Sequence, residues 1–272
     1  MPVFNLPDIS HLLLAAVIAG AIAGAALAAK ALSPSGAVAA AFVGFVVFGW
    51  GNMPAAVALL LFFVTSSALS RYGKARKDAL ETYEKGGTRD AGQVMANGGV
   101  AVICVAWMAI DPQSPAPVAA FLGALAAANA DTWATEIGTL FGTNSKKKPI
   151  ILATLYDGEP GQSGAVSVPG TVAALVGAFV IALTSLLFTS ATFPQTLIAV
   201  TLGGLLGSLA DSFLGGKYQA QYRDGVTGNL SERTHDAENR PNPLESGAEW
   251  VNNDVVNFAA TAVGAIVAAI LS

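Results

Sequence analysis

The chain has 272 residues, of which 53% are hydrophobic and 12% charged, with 14 Lys and Arg against 18 Asp and Glu for a net charge of −4. A mean hydropathy of +0.57, with charge well below the roughly 25% usual in soluble domains, excludes an ordinary water-soluble globule. The single cysteine, Cys104, excludes a disulfide framework.

Apolar stretches follow one another at residues 11–29, 35–50, 54–70, 93–110, 116–137, 166–188, 194–215 and 254–271. Each is about 16–23 residues long, which suits a hydrocarbon core of roughly 30 Å at about 1.5 Å per helical residue. The pattern predicts an all-α, polytopic membrane bundle of about eight transmembrane helices, forming one integral membrane domain over residues 1–272. The first stretch does not read as a cleaved leader, because Met1 to Ser10 carry no positive charge. Gly20-x-x-x-Gly24 and Gly203-x-x-x-Gly207 let helices approach closely.

The basic residues alternate with the connections. Lys30 lies on the first, Arg71, Lys74, Arg76, Lys77, Lys85 and Arg89 on the third. Lys146 to Lys148 lie on the fifth, and Lys217, Arg223, Arg233 and Arg240 on the seventh. The second, fourth and sixth connections carry none. Basic excess marks the cytoplasmic face, so both termini are expected outside, with long cytoplasmic connections over residues 71–92, 138–165 and 216–253. The first of these reads as a helical extension ended by Gly86-Gly87. The last is polar and without a hydrophobic repeat, so it is expected to be ordered by what it covers. Lys146–Lys148 suit anchoring to anionic lipid, with steering of a nucleotide as the other reading.

Two carboxylates sit inside spans. Asp131 lies about 10 Å within the inner boundary by helical rise, and Asp211 lies four residues before Gly215. A buried charge at the centre of a membrane helix costs about 2.5–3.5 kcal/mol, so two of them point to function. Ala130-Asp131-Thr132-Trp133 and Ala210-Asp211-Ser212-Phe213 echo each other, both at the inner ends of inward-running spans. Asn129, Thr132 and Glu136 share one helical face. Other polar groups gather at the same height: Thr65 to Ser67 and Ser70, then Arg89, Asp90, Gln93 and Asn97. Asn252, Asn253, Asp254 and Asn257 complete the set. Singly, several of these suit helix caps; together they define a cytoplasm-facing site.

Carboxylates among amides, hydroxyls and basic side chains suit Mg²⁺ and phosphate, since magnesium takes one or two protein carboxylates plus phosphate oxygens. Pro160 to Gly164 precede a span, where free backbone N–H groups favour an anion; a flexible loop leading to a cap is the other reading. No G-x-x-x-x-G-K-[ST], G-x-S-x-G or paired Cys/His pattern occurs, which removes a soluble-type phosphate loop, a hydrolase elbow and a zinc site.

Ser66 to Arg71 with Lys74, Arg89 to Gln93 with Asn97-Gly98-Gly99, Ala130 to Gly138, Ser163-Gly164, Gly207 to Ser212 and Trp250 to Asn257 together resemble a known family. It is the integral membrane proteins classed as domain of unknown function 92, which includes animal transmembrane protein 19 and the chloroplast phytyl-phosphate kinase. The resemblance spans nearly the whole chain. It implies phosphorylation of a prenyl monophosphate to a diphosphate with CTP or another nucleoside triphosphate. Many relatives carry cysteines and a further histidine near Tyr222–His235; this chain has no cysteine there, so the resemblance does not carry a metal role over to that loop.

On this reading Asp131 and Asp211, with Glu136, hold Mg²⁺. Arg71, Lys74 and Arg89 bind phosphate, and Asn97, Asn253 and Asn257 orient it. Ser67, Asp90, Asn129, Ser163, Gly164, Ser208 and Ser212 complete the substrate and nucleotide site. The expected partners are a prenyl-phosphate lipid, a nucleotide and membrane lipid, with no nucleic acid and with a homodimer left open. The expected location is a plasma or thylakoid-type inner membrane, with the site on the cytoplasmic side. Two alternatives stand: a kinase of the free prenyl alcohol, in which an aspartate takes the hydroxyl proton, and an ion-coupled transporter or lipid scramblase, whose site would lie nearer the midplane.

Overall fold

The computed structural model describes residues 7–77, 88–142, 147–188 and 193–272, and side chains throughout these except at residues 73–77. Its helices are α1 (Ile9–Ala28), α2 (Pro34–Lys77), α3 (Ala91–Ile110), α4 (Ala116–Gly142), α5 (Val168–Ala182), α6 (Phe193–Tyr218) and α7 (Asn253–Leu271). A 3-10 turn over Leu183–Leu187 continues α5. Short polar side chains start several of them, as expected where the first N–H groups lack carbonyl partners. Asp8 accepts from the His11 N–H at α1, Ser167 from Gly170 at α5, and Asn252 from Val255 at α7. At α3, Asp90 and Gln93 form a reciprocal capping box.

α2 is not one rod. Asn52 adopts φ 61° and ψ −171°, with Pro54 two residues on. Asn tolerates positive φ better than most residues, and proline cannot continue the preceding turn. The two halves fold back on each other, so Ala37, Ala40 and Ala41 pack in one cluster with Phe63. The expected spans at 35–50 and 54–70 are therefore the two legs of one helical hairpin.

Among the described residues, six helical segments are long and apolar enough to cross a membrane. α4 is not one of them, because Asn129 and Asp131 interrupt its apolar run. It is instead the central helix, contacting α2, α3, α5, α6 and α7. Alanines at 119, 120, 124, 126, 127, 128 and 130 are all buried and keep its neighbours close. Larger apolar side chains such as Ile103, Leu175, Leu202 and Ile266 face outward. A helical bundle with a small-residue core and a large-residue exterior is a polytopic membrane protein.

The connections depart from the all-helical expectation. β1 (Ile150–Ile151) pairs antiparallel with β2 (Ala165–Val166), and β3 (Gln221–Arg223) lies between β4 (Leu230–Ser231) and β5 (Leu244–Ser246). Residues 216–253 also have ties of their own rather than depending only on what they cover. Asp236 Oδ1 accepts from the backbone N–H groups of Glu238 and Arg240, each at 2.9 Å. Arg223 grips Glu245 with both Nε and Nη2. α2 runs on through Lys77 as expected; its predicted end at Gly86-Gly87 lies outside the described residues.

Candidate active site

Close packing of small residues brings the carboxylates together. In α6, Gly204 meets Ala126 of α4, and Gly207 meets Ala127 of α4 and the Ala260 carbonyl of α7. A Cβ on Gly207 would stand 2.5 Å from the Ala127 Cβ, so only glycine allows this crossing. Four residues beyond Ala127 and Gly207, one turn further on, are Asp131 and Asp211. Asp131 lies within electrostatic range of Asp211, and so does Glu232, just past β4. Asp211 Oδ2 is buried and has no hydrogen-bond partner among the described residues. Two further carboxylates thus lie near a buried oxygen that has no donor, an arrangement a cation would relieve.

Glu136 does not complete this group. It is buried at 4% exposure, but five residues separate it from Asp131, a rotation of about 140° around the helix. Among the described residues no three His, Cys, Asp or Glu side chains are grouped as metal ligands. Asp131 and Glu232 lie within electrostatic range of Asp211, and Glu136 lies on another face of α4. Glu232 was not foreseen, because one carboxylate in a polar connection gives no periodic signal.

Several predicted ligands are engaged in holding the fold. Asn129 is fully buried; its Oδ1 accepts from Thr65 Oγ1 at 3.0 Å and Ser66 Oγ at 3.1 Å, and its Nδ2 donates to the Gly177 carbonyl at 2.8 Å. It ties α2, α4 and α5 and has little capacity left for a nucleotide. Asp90 Oδ1 is taken by the α3 cap at 3.0 Å. Arg71 Nη2 donates to the Ala29 carbonyl at the end of α1, 2.6 Å away. Ser163 is not at a helix start: Ser167 caps α5, while Ser163 Oγ donates to Gln219 Oε1 at 3.0 Å. Gly164, at φ 81°, lies so close to Gly216 and the Ser212 carbonyl that no side chain fits. The Ser163-Gly164 segment thereby buttresses α6 just past Asp211.

Ser208 is buried on α6, and its carbonyl accepts from Ser212 Oγ at 3.3 Å. Asn253 and Asn257 lie in the first turns of α7, Asn257 one turn from the Ala260 contact with α6 and so level with the aspartates. Ser67 is half-buried near the inner end of α2, and the Lys74 side chain lies outside the described residues. Asn97 Nδ2 donates to the Gln93 carbonyl at 3.0 Å.

Arg89, Gln93 and Asn97 also line an apolar cavity of about 170 Å³ between α1, α2 and α3. The Arg89 guanidinium stacks over Phe62, 5.9 Å from the ring centroid. The second leg of α2 joins cavity and carboxylates, since Phe62 faces Arg89 while Thr65 and Ser66 hold Asn129.

Residues 17–265 match the family described as Integral membrane protein DUF92, and the chain belongs to it. It is 30% identical to Protein PGR of Arabidopsis thaliana over 91% of each chain. It is 28% identical to an uncharacterized membrane protein of Methanocaldococcus jannaschii, covering 89% of this chain and 86% of that one. It is 26% identical to the chloroplastic Protein VTE6 of Arabidopsis thaliana, covering 92% and 68% respectively. No solved structure matches.

Proposed function

We propose that the protein is a membrane prenyl-phosphate kinase, converting a prenyl monophosphate to the diphosphate with CTP or another nucleoside triphosphate. The observation that carries this is the buried Asp211 Oδ2, without a donor and beside Asp131. The reaction class comes from the family, which includes the chloroplast phytyl-phosphate kinase. Asp131 and Asp211 are hard oxygen donors, and with no group of three metal-binding side chains among the described residues they fit Mg²⁺ held partly by protein and partly by phosphate, rather than an all-protein cage. Bound there, Mg²⁺ would neutralise charge on the transferring phosphoryl group.

With Mg²⁺ bound, Asp131 and Asp211 would hold the ion that positions the nucleotide phosphates, and Glu232 would lie beside them. An oxygen of the monophosphate attacks the terminal phosphorus of the nucleotide. The bond from that phosphorus to the bridging oxygen breaks, and the nucleoside diphosphate leaves with the electron pair. The acceptor oxygen needs little deprotonation near neutral pH, given a second phosphate pKa of about 6. No general base is required, and the residues act by placement and charge.

The basic connections put this end of the bundle on the cytoplasmic side. The hairpin of α2, with α1 and α3 to α7, then gives eight crossings with both termini outside. The membrane is of plasma or thylakoid inner-membrane type.

Purified protein in nanodiscs, given geranylgeranyl monophosphate, CTP and Mg²⁺, is expected to form the diphosphate. Asp211→Asn keeps the side chain's shape and is expected to lower kcat by about 10³-fold, the scale of losing one charge-stabilising group. Absence of diphosphate across several tails and nucleotides overturns the reading. Faster reaction of the free alcohol than of the monophosphate would replace it with an alcohol kinase.

A further inference from the structure

We infer that the β1–β2 hairpin is a membrane anchor, its tip at Leu155 and Tyr156 seated in the headgroup layer of the leaflet at the carboxylate end of the bundle. α6 fixes its height. The 26 residues of that helix extend about 39 Å at helical rise, against a hydrocarbon core of roughly 30 Å, so its last turns stand among headgroups. There the Lys217 ammonium lies 5.4 Å from the Phe213 ring centroid and 5.2 Å from that of Tyr218, and basic and aromatic side chains together mark this layer. Beside them, Gly216 carries the hairpin. A Cβ on Gly216 would stand 3.0 Å from Ile151 Cγ2 and 3.4 Å from the Ala153 Cβ. β2 ends at Val166 and Ser167 caps α5, so a single residue separates the sheet from a spanning helix. The hairpin therefore lies flush with the helix ends instead of standing off into water.

The side chains it turns outward are apolar. Leu155 is 74% exposed and Tyr156 76%, and Ile150, in the strand paired back to Asp157, is exposed as well. The patch continues onto the lipid-facing surface of the bundle, through exposed Phe141 at the end of α4 and Val168 and Val172 at the start of α5. Leu155 also has φ 60°. The other non-glycine residues at positive φ among the described residues are Lys30, Asn52 and Asn239, so leucine alone brings an apolar side chain to this costly backbone. The turn holds it there, because the Ile151 carbonyl accepts from the N–H groups of Thr154 at 3.2 Å and Leu155 at 2.8 Å. In water, glycine or asparagine would fit such a turn with less strain and expose nothing apolar. A leucine there suits a turn whose side chain meets acyl chains, with a tyrosine next to it at the polar boundary. None of this rests on the kinase reading.

The test uses the full chain in nanodiscs holding one copy each, with Cys104→Ser as background and an environment-sensitive nitrobenzoxadiazole probe on a single cysteine. Tyr156→Cys reports on the tip, and Val226→Cys on the exposed turn between β3 and β4. The tip probe is expected to emit to the blue of the other, to lose intensity to lipid carrying a nitroxide near the top of its acyl chain, and to resist aqueous iodide. The probe at Val226 is expected to behave in the opposite way. Leu155→Asn suits the same backbone and keeps the turn, yet it is expected to weaken the lipid quenching at the tip. The unsubstituted chain gives a second measure: lipid with a diazirine near the head of its acyl chain is expected to cross-link to Leu155 and Tyr156 and not to Val226. Equal iodide access at the two positions, lipid quenching unaltered by Leu155→Asn, or no lipid cross-link at the tip overturns the inference. So does protection seen only in discs holding two copies, which makes a second chain the occupant, or only with nucleotide and Mg²⁺, which makes the tip a lid.

Discussion

Asn129 shows why a polar residue inside a span need not be a ligand. Its three hydrogen bonds reach two helices besides its own, and its removal would take a hydrogen-bond partner from each of Thr65, Ser66 and the Gly177 carbonyl in an apolar interior. Asn129→Ala is expected to cost about 1–3 kcal/mol, the penalty of stranding buried polar groups. The check is thermal melting in detergent together with Mg²⁺ titration of activity: the melting temperature should fall, and the Mg²⁺ dependence should not move. Asp131 and Asp211 differ because the fold leaves an oxygen of Asp211 without a donor. Their meeting was legible from the two matching tetrapeptides at the ends of parallel spans. Asn129 was not separable from them, because a sequence records that a polar group is present but not which backbone carbonyl and hydroxyls it meets.

The elements past Asp211 are held by backbone geometry and by charge. Gly164→Ala adds a Cβ at positive φ where Gly216 and Ser212 already press. It is expected to push this segment off α6, lowering melting temperature and kcat together. An unchanged kcat would show that the buttress does not position Asp211. The β3–β5 sheet should respond to acid. The Asp236 carboxyl is held below its ordinary range, first by the backbone N–H of Arg240 and then by its side chain. Glu245 is lowered by its hydrogen bond from Arg223, and Asp224 by the backbone N–H of Thr227. Groups lowered in the fold stabilise it above the ordinary carboxylate range, near pH 4, and lose that contribution as pH falls through their lower folded values. Amide exchange over residues 221–246, corrected for intrinsic rates, is therefore expected to rise at about pH 3 relative to pH 7, and Asp236→Asn should flatten the change. The sheets themselves were not legible, since strands of two or three residues are too short for an alternating pattern. The break in α2 was, because Gly51-Asn52-Met53-Pro54 cannot continue a helix unperturbed.

At the scale of the molecule, polarity divides along one axis. The carboxylates, Arg89 and both small sheets belong to one end, and the other carries the reversal at Asn52 and the turn between α3 and α4. With Cys104→Ser as background, a lone cysteine at Gln113, between α3 and α4, is expected to react with an impermeant maleimide from outside. One at Asn239 is expected to react only after permeabilisation. The reverse pattern would invert the bundle and move the proposed kinase site away from cytoplasmic nucleotide.

The tight reversal at Asn52 bears on how the chain enters the bilayer. Gly51, Asn52 and Met53 bring no ionisable group to the tip of the α2 hairpin. Its two greasy legs can thus slip in together as a wedge, and no charged loop has to be dragged through hydrocarbon, a passage that costs about 2.5–3.5 kcal/mol for each Lys, Arg or Asp at the midplane. Biogenesis of this stretch needs little push from the translocation machinery, and a lysine placed at Met53 would stall it.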